Sequence, residues 1–104
     1  MRQLELTRQA RADLARILGH IAEQSGSVAV ARRFGGELRA RCEELAGHDF
    51  VMGRPRSELR AGLRSIAHKG YVLLFDYPDD STMRLMRVVN GRRDLPALFR
   101  ADER

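Results

Sequence analysis

Four arginines fall within the stretch Gly53-Arg54-Pro55-Arg56-Ser57-Glu58-Leu59-Arg60-Ala61-Gly62-Leu63-Arg64-Ser65, and a second basic run, Arg87-Val88-Val89-Asn90-Gly91-Arg92-Arg93-Asp94, answers it near the C-terminus. A guanidinium presents a rigid fork of N–H donors that grips carboxylates and phosphates through two bonds at once. The chemistry these runs offer is therefore recognition of an anion. If the first run is a strand, it sends Arg60 and Arg64 to one side and Leu59, Ala61 and Leu63 to the other. The residue types that do covalent chemistry are scattered. His20, His48 and His68 fall on a helix, a loop and a turn, with no pair at the spacing a metal needs. Ser57, Ser65 and Ser81 lack a histidine-and-acid constellation, and no phosphate-cradling glycine loop occurs. Tyr71 and Tyr77 have hydroxyls that could assist RNA cleavage, but at strand positions they read as core or rim aromatics. No catalytic residue, metal or cofactor is expected. The single cysteine, Cys42, excludes an intramolecular disulfide and reads as a small buried hydrophobe.

The bulk numbers bound the partner. The chain has 104 residues, enough for one domain (1–104) with one core and no staples. The hydrophobic fraction is 43% and the net charge +5, carried by 18 arginines and only one lysine, Lys69. Residues 1–47 carry +2 and residues 48–104 carry +3, so the surplus is spread rather than gathered into a nucleic-acid face. With no recognition-helix signature either, a plain nucleic-acid-binding module is disfavoured. No N-terminal apolar leader core occurs, and no apolar run approaches the roughly 18 residues of a membrane span. A cytoplasmic setting without membrane contact is the expectation.

The elements that must hold the arginines follow from periodicity. Residues 2–6 alternate polar and apolar over too short a distance to stand alone, and predict a strand added to a sheet built elsewhere. Thr7 caps a helix over 8–24 with the stripe Ala10, Leu14, Ile17, Leu18, Ile21. Ser27 caps a second, ending at Gly47, with Ala31, Phe34, Leu38, Cys42 and Leu45. The short Ser25-Gly26-Ser27 connection makes them an antiparallel hairpin. Gly35 and Gly36 each cost about 1 kcal/mol against alanine in a helix, which close packing between helices would explain. Residues 48–57 read as a loop. Three strands follow at hairpin spacing, roughly 58–67, 71–77 and 82–90, and then a short helical turn or extended tail over 94–99.

If Tyr77 opposes Thr82 and Ala67 opposes Tyr71, one sheet face carries Leu59, Ala61, Leu63, Tyr71, Leu73, Phe75, Met86 and Val88 and should meet the helices. The other carries Arg60, Arg64, Asp76 and Arg87 among apolar residues, and is expected to be open, basic and partly greasy, as a docking surface is. Arg64 and Arg87 have two readings there. One is a structural pair with Asp76; the other is contact with a partner's carboxylate or phosphate. Arg54, Arg56 and Arg60 read as a solvated basic edge. The fold class is α+β, a strand and αα-hairpin on one face of a small antiparallel sheet.

This order of elements resembles the RelE/ParE superfamily of type II toxins, and within it the ParE branch. The carriers are Thr7 with Ala10 and the Asp13-Leu14-x-x-Ile17 opening, the Gly53 to Ser65 motif, Tyr71-Val72-Leu73-Leu74-Phe75, and Arg87 through Leu95. The resemblance covers nearly the whole chain. It implies a toxin that inhibits DNA gyrase when free and is neutralised by a ParD-like antitoxin, in a toxin–antitoxin hetero-oligomer that touches DNA only through the antitoxin. Partner-binding residues are then sought among Arg54, Arg56, Arg60, Arg64, Asp76, Arg87, Arg92 and Arg93. Two positions depart from the pattern: Asp76 stands where relatives often have a basic residue, and Asn90 where a histidine often precedes the Gly-Arg-Arg-Asp turn. The RelE-like alternative, a ribosome-dependent mRNA endonuclease, would use Arg64 and Arg93 with a C-terminal tyrosine or histidine. Phe99 has no hydroxyl, and Asn90 cannot serve as a general base near neutral pH. Gyrase inhibition therefore ranks first, RNA cleavage second and an inactive antitoxin-binding homologue third.

Overall fold

The Thr7 hydroxyl oxygen accepts the Ala10 N–H at 3.0 Å and opens helix α1 (Arg8–Ser25), while the same hydroxyl donates to the Met86 carbonyl at 2.7 Å. One side chain thus starts the helix and ties its first turn to the sheet. Gly26, at φ +69°, ends α1 in the left-handed conformation that glycine adopts without a Cβ penalty. Ser27 accepts the Val30 N–H at 3.2 Å and starts α2 (Val28–Gly47). The caps and the apolar stripes fall where the periodicity put them. A Cβ on Gly35 would sit 3.4 Å from the Leu18 methyls of α1, whereas one on Gly36 would meet open space, so helix packing accounts for the first glycine only. The computed structural model describes residues 2–102.

Five strands form one sheet in the order β1-β5-β4-β3-β2: β1 (Gln3–Leu6), β2 (Arg54–Pro55), β3 (Arg64–His68), β4 (Tyr71–Asp79) and β5 (Thr82–Asn90). β2 to β5 pair antiparallel, and β1 adds parallel to β5 with Gln3 opposite Thr82. The hairpin of helices covers one face. There Ala10, Ile17, Leu38, Cys42 and Leu45 pack on Leu73, Phe75, Met83, Leu85 and Val88. Burial pushes the Cys42 thiol up to about 11, so it behaves as a hydrophobe.

Four expectations are corrected. Residues 58–63 are not strand: Arg56 N–H donates to the Leu63 carbonyl at 2.8 Å, Leu59 N–H to Arg56 at 2.9 Å and Leu63 N–H to Arg60 at 3.1 Å. With Gly62 at φ +78°, these bonds curl the chain into turns, and the strand begins only at Arg64. The expected loop also contains the short strand β2. The β4–β5 register differs too, with Tyr71 opposite Asn90 and Asp79 opposite Thr82, and His68 rather than Ala67 opposite Tyr71. Leu74 opposes Arg87 and Phe75 opposes Leu85, which leaves Met86 as a bulged residue and breaks the alternation that assigned faces.

The fourth concerns the faces of the sheet. The second face is not open, because helix α3 (Leu95–Asp102) lies against it. Leu95, Leu98 and Phe99 form a second core there with Leu59, Leu63, Leu74 and Val89, with Met86 packed alongside. Leu59 and Leu63 therefore face away from α1 and α2, opposite to the parity reading. Asp94 accepts the Ala97 N–H at 3.2 Å and holds the first turn of α3, with Pro96 tolerated there. Among the described residues no helix is long and apolar enough to cross a membrane.

Candidate functional site

The arginines expected on one docking surface divide by what their guanidinium groups already hold. Arg87 is spent inside the molecule. Its Nε donates to Asp13 Oδ2 at 2.8 Å and one terminal nitrogen to Oδ1 at 3.2 Å, and the Val88 N–H reaches Oδ2 at 3.0 Å. Asp13 is 2% exposed. Burial works to raise its pKa, but the hydrogen bonds from Arg87 and Val88, the Arg87 charge and the Arg16 contact together hold it below its ordinary value. The sequence does carry a signal for this acid. It sits between Ala10 and Ile17 on the buried stripe of α1, where an unpaired carboxylate is not tolerated.

Arg64 is likewise internal. Its Nε donates to the Met52 carbonyl at 2.6 Å and a terminal nitrogen to the Gly53 carbonyl at 2.8 Å, which satisfies two loop acceptors. Gly53 is needed at this point. It sits at φ +85°, and a Cβ there would come within 2.6 Å of the Phe75 ring. The pairing of Asp76 with Arg64 or Arg87 is thus overturned. Asp76 lies directly across the ladder from Arg84, and the two meet in a bidentate pair at 3.0 and 2.7 Å. Arg84 escaped the sequence reading because the unshifted register set it opposite Phe75.

The remaining arginines stay nearer solvent. Arg54 is exposed at the sheet edge, and with Arg56, Ser65 and Ile66 it lines a hollow of about 400 Å³. Arg56 is held to Glu58 at 2.9 Å, and that contact keeps the Glu58 carboxyl below its ordinary pKa. Arg60 lies over the Phe99 ring at 5.1 Å, a cation–π contact that pins the 56–63 turns to α3. Arg92 and Arg93 are exposed in the turn after β5. Arg93 lines a pocket with Arg16, Ile17, His20, Tyr71 and Asn90, none of which belongs to the first arginine run. The two basic runs therefore mark separate places.

One feature escaped the sequence reading entirely. A crevice of about 200 Å³ opens between β1 and the helical hairpin, lined by Leu4, Leu6, Leu14, Leu18, Leu38 and Leu85 with Arg39 at its side. Leu14, Leu18 and Leu38 lie on the apolar stripes of the two helices, and Leu4 and Leu6 on the alternating first strand. What periodicity does not reveal is that β1 and the hairpin stand far enough apart to leave Leu4, Leu6, Leu14 and Leu18 partly uncovered above the buried Leu38 and Leu85.

The β1–αα-hairpin–sheet fold is one that a known structure shares. It is similar to a solved structure titled chromosomal ParDE TA system from P. aeruginosa, with a TM-score of 0.74 at 22% identity, covering 86% of this chain and 96% of that one. The sequence is similar to toxin ParE1 of Caulobacter vibrioides, 37% identical over 75 residues, which is 72% of this chain and 76% of that protein. Residues 4–95 match the family described as ParE toxin of type II toxin-antitoxin system, parDE, and the chain belongs to that family.

Proposed function

We propose that this chain is a protein inhibitor of DNA gyrase, without catalytic activity of its own, and that a ParD-like antitoxin neutralises it. The observation that carries the reading is the division of the arginines. Arg64 and Arg87 maintain the fold, and Arg54, Arg92 and Arg93 remain exposed on a ParE-family scaffold to meet an acidic surface. The RNA-cleaving alternative asked the C-terminal residues for an acid or base. Phe99 is buried against the sheet, and the Asn90 carboxamide oxygen accepts the Arg92 N–H at 2.9 Å, so neither supplies one.

The antitoxin's place also moves. The face expected to receive it is occupied by α3, so the apolar crevice beside β1 becomes the seat for an amphipathic antitoxin segment, with Arg39 beside it, its Nε held by Glu43 at 3.1 Å and its terminal nitrogens left to meet an acidic side chain. A supercoiling assay with the purified chain tests the main claim. Loss of gyrase activity or gyrase-dependent DNA breaks, reversed by the antitoxin, is the expected result. Unaffected gyrase together with ribosome-dependent mRNA cuts would replace it with the RelE-like reading, and neither effect, with antitoxin binding intact, with the inactive homologue.

A further inference from the structure

The pocket around Arg93 has a chemistry of its own. Tyr71 and Asn90 face each other as the last pair of the β4–β5 ladder, and Tyr71 packs on the helix-side core, so both occupy the sheet face that α1 crosses. Arg16 and His20, four residues apart on α1, are neighbours along that helix. Arg93 comes back over the strand end through a turn in which its N–H donates to the Asn90 carbonyl at 2.9 Å. The pocket, open to solvent on one side, has a volume of about 260 Å³. That exceeds the ~30 Å³ share of a single water several-fold, which leaves room for a tetrahedral anion and part of what it is attached to.

The polar groups lining this pocket are rich in donors. Asn90 spends its oxygen on the Arg92 N–H, leaving its NH₂ hydrogens to give. Arg16 commits one terminal nitrogen to Asp13 at 3.2 Å and keeps the rest of its fork, and Arg93 has no acidic partner among the described residues. Among the described residues no carboxylate lines the pocket. Of the acids nearest in sequence, Glu23 on α1 and Asp94 after Arg93 do not line the pocket, and Asp13 already accepts two bonds from Arg87, one from the Val88 N–H and one from Arg16. Its single negative charge is set against Arg16 and Arg87 before Arg93 is counted, so the pocket is left positive.

We propose that this pocket binds a phosphoryl group, with Arg16 and Arg93 gripping its oxygens and His20, Tyr71 and Asn90 completing the donor set. Two sources share that chemistry, a free phosphate and the backbone of a nucleic acid. The site shares Arg93 with the arginines proposed to meet gyrase, but its other residues do not enter that reading, and it is testable without either partner. The ¹⁵N-labelled full chain is titrated with sodium phosphate and, separately, with a short single-stranded deoxyoligonucleotide, each against sodium chloride at matched ionic strength. Saturable shifts at the Arg16 and Arg93 side-chain N–H groups and the Asn90 NH₂ are expected with at least one probe. Arg93→Gln should weaken that binding about tenfold, the loss of one charge-assisted contact. Arg32→Gln, an exposed change on α2, should leave it unaltered.

Saturation by phosphate alone assigns the free anion, and saturation by the oligonucleotide alone assigns the backbone. Because Arg93 is exposed, Arg93→Gln leaves the fold intact, and Tyr71→Phe supplies a second variant that keeps the ring. The proposal is overturned if neither probe gives a saturable shift at these groups. It is equally overturned if Arg93→Gln and Arg32→Gln weaken binding alike, since the interaction is then diffuse surface charge.

Discussion

Asp13 and Arg87 are 74 residues apart and form the most buried ion pair among the described residues, with side-chain exposures of 2% and 12%. Removing one partner leaves the other charge in the core without compensation, so Arg87→Ala should cost about 3–5 kcal/mol in denaturant unfolding, where a surface pair costs ~1 kcal/mol or less. The pH dependence has a definite sign. The Asp13 pKa is lower in the folded than in the unfolded chain, so its stabilisation is present above the unfolded value, ~3.9, and is lost as pH falls through the folded one. Thermal melts between pH 2 and pH 5, a window of roughly that span, should fall less steeply for Asp13→Asn than for the parent chain. Arg64→Ala should cost ~1–3 kcal/mol by stranding the Met52 and Gly53 carbonyls, whereas Arg54→Ala, exposed at the edge, should leave the midpoint unchanged. Both partly buried arginines were visible in the sequence as charges among apolar neighbours. The partners of Arg64 were not, because a guanidinium bound to backbone carbonyls leaves no trace in residue types, whereas the partner of Arg87 was marked by Asp13 on the buried stripe of α1.

The helices were legible in their caps and stripes because those signals are local: a hydroxyl three residues before the N–H it accepts, and apolar residues every third or fourth position. The strands were legible as elements but not in register. The bulge at Met86 inserts one residue against β4, and a second irregularity between Asp76 and Asp79 restores the offset, so the pairs between them depart from strict alternation, and nothing local in Leu85-Met86-Arg87 announces it. The turns over 56–63 were hidden in the same way, since Arg-x-Gly-Leu-Arg alternates well enough to pass for a strand. α3 then settles which face is covered. Phe99 is 3% exposed, caught between the second core and the Arg60 guanidinium, so Phe99→Ala should cost about 3–5 kcal/mol and loosen the whole 56–63 segment, read as faster amide exchange there. Gly53→Ala tests the loop that Arg64 clasps. The left-handed backbone and the contact with Phe75 together should cost about 2 kcal/mol or more, measured by denaturant unfolding.

At the scale of the molecule the sheet has two covered faces, and what stays available is its rim: the crevice beside β1 at one edge, the Arg54–Arg56 hollow at the other, and the Arg93 pocket at the strand ends. A protein that must be held by one partner and still act on another is well served by sites that do not coincide, because each is then open to separate alteration. On the reading proposed above, the crevice receives the antitoxin and the exposed arginines meet the target. Leu18 lies in the crevice, partly exposed beside Gly35, and is far in sequence from either basic run. Leu18→Glu places a charge on the apolar seat while the α1 core residues Ala10 and Ile17 keep their packing. The variant should bind the antitoxin at least about tenfold more weakly by calorimetry, the cost of desolvating a carboxylate that finds no partner, and should still inhibit supercoiling. Converse behaviour is expected of a double change at Arg54 and Arg92 to glutamine, which should retain the antitoxin and lose the target. If Leu18→Glu abolishes both activities while its melting curve matches the parent, the crevice serves both partners, and neutralisation works by direct competition for a single surface.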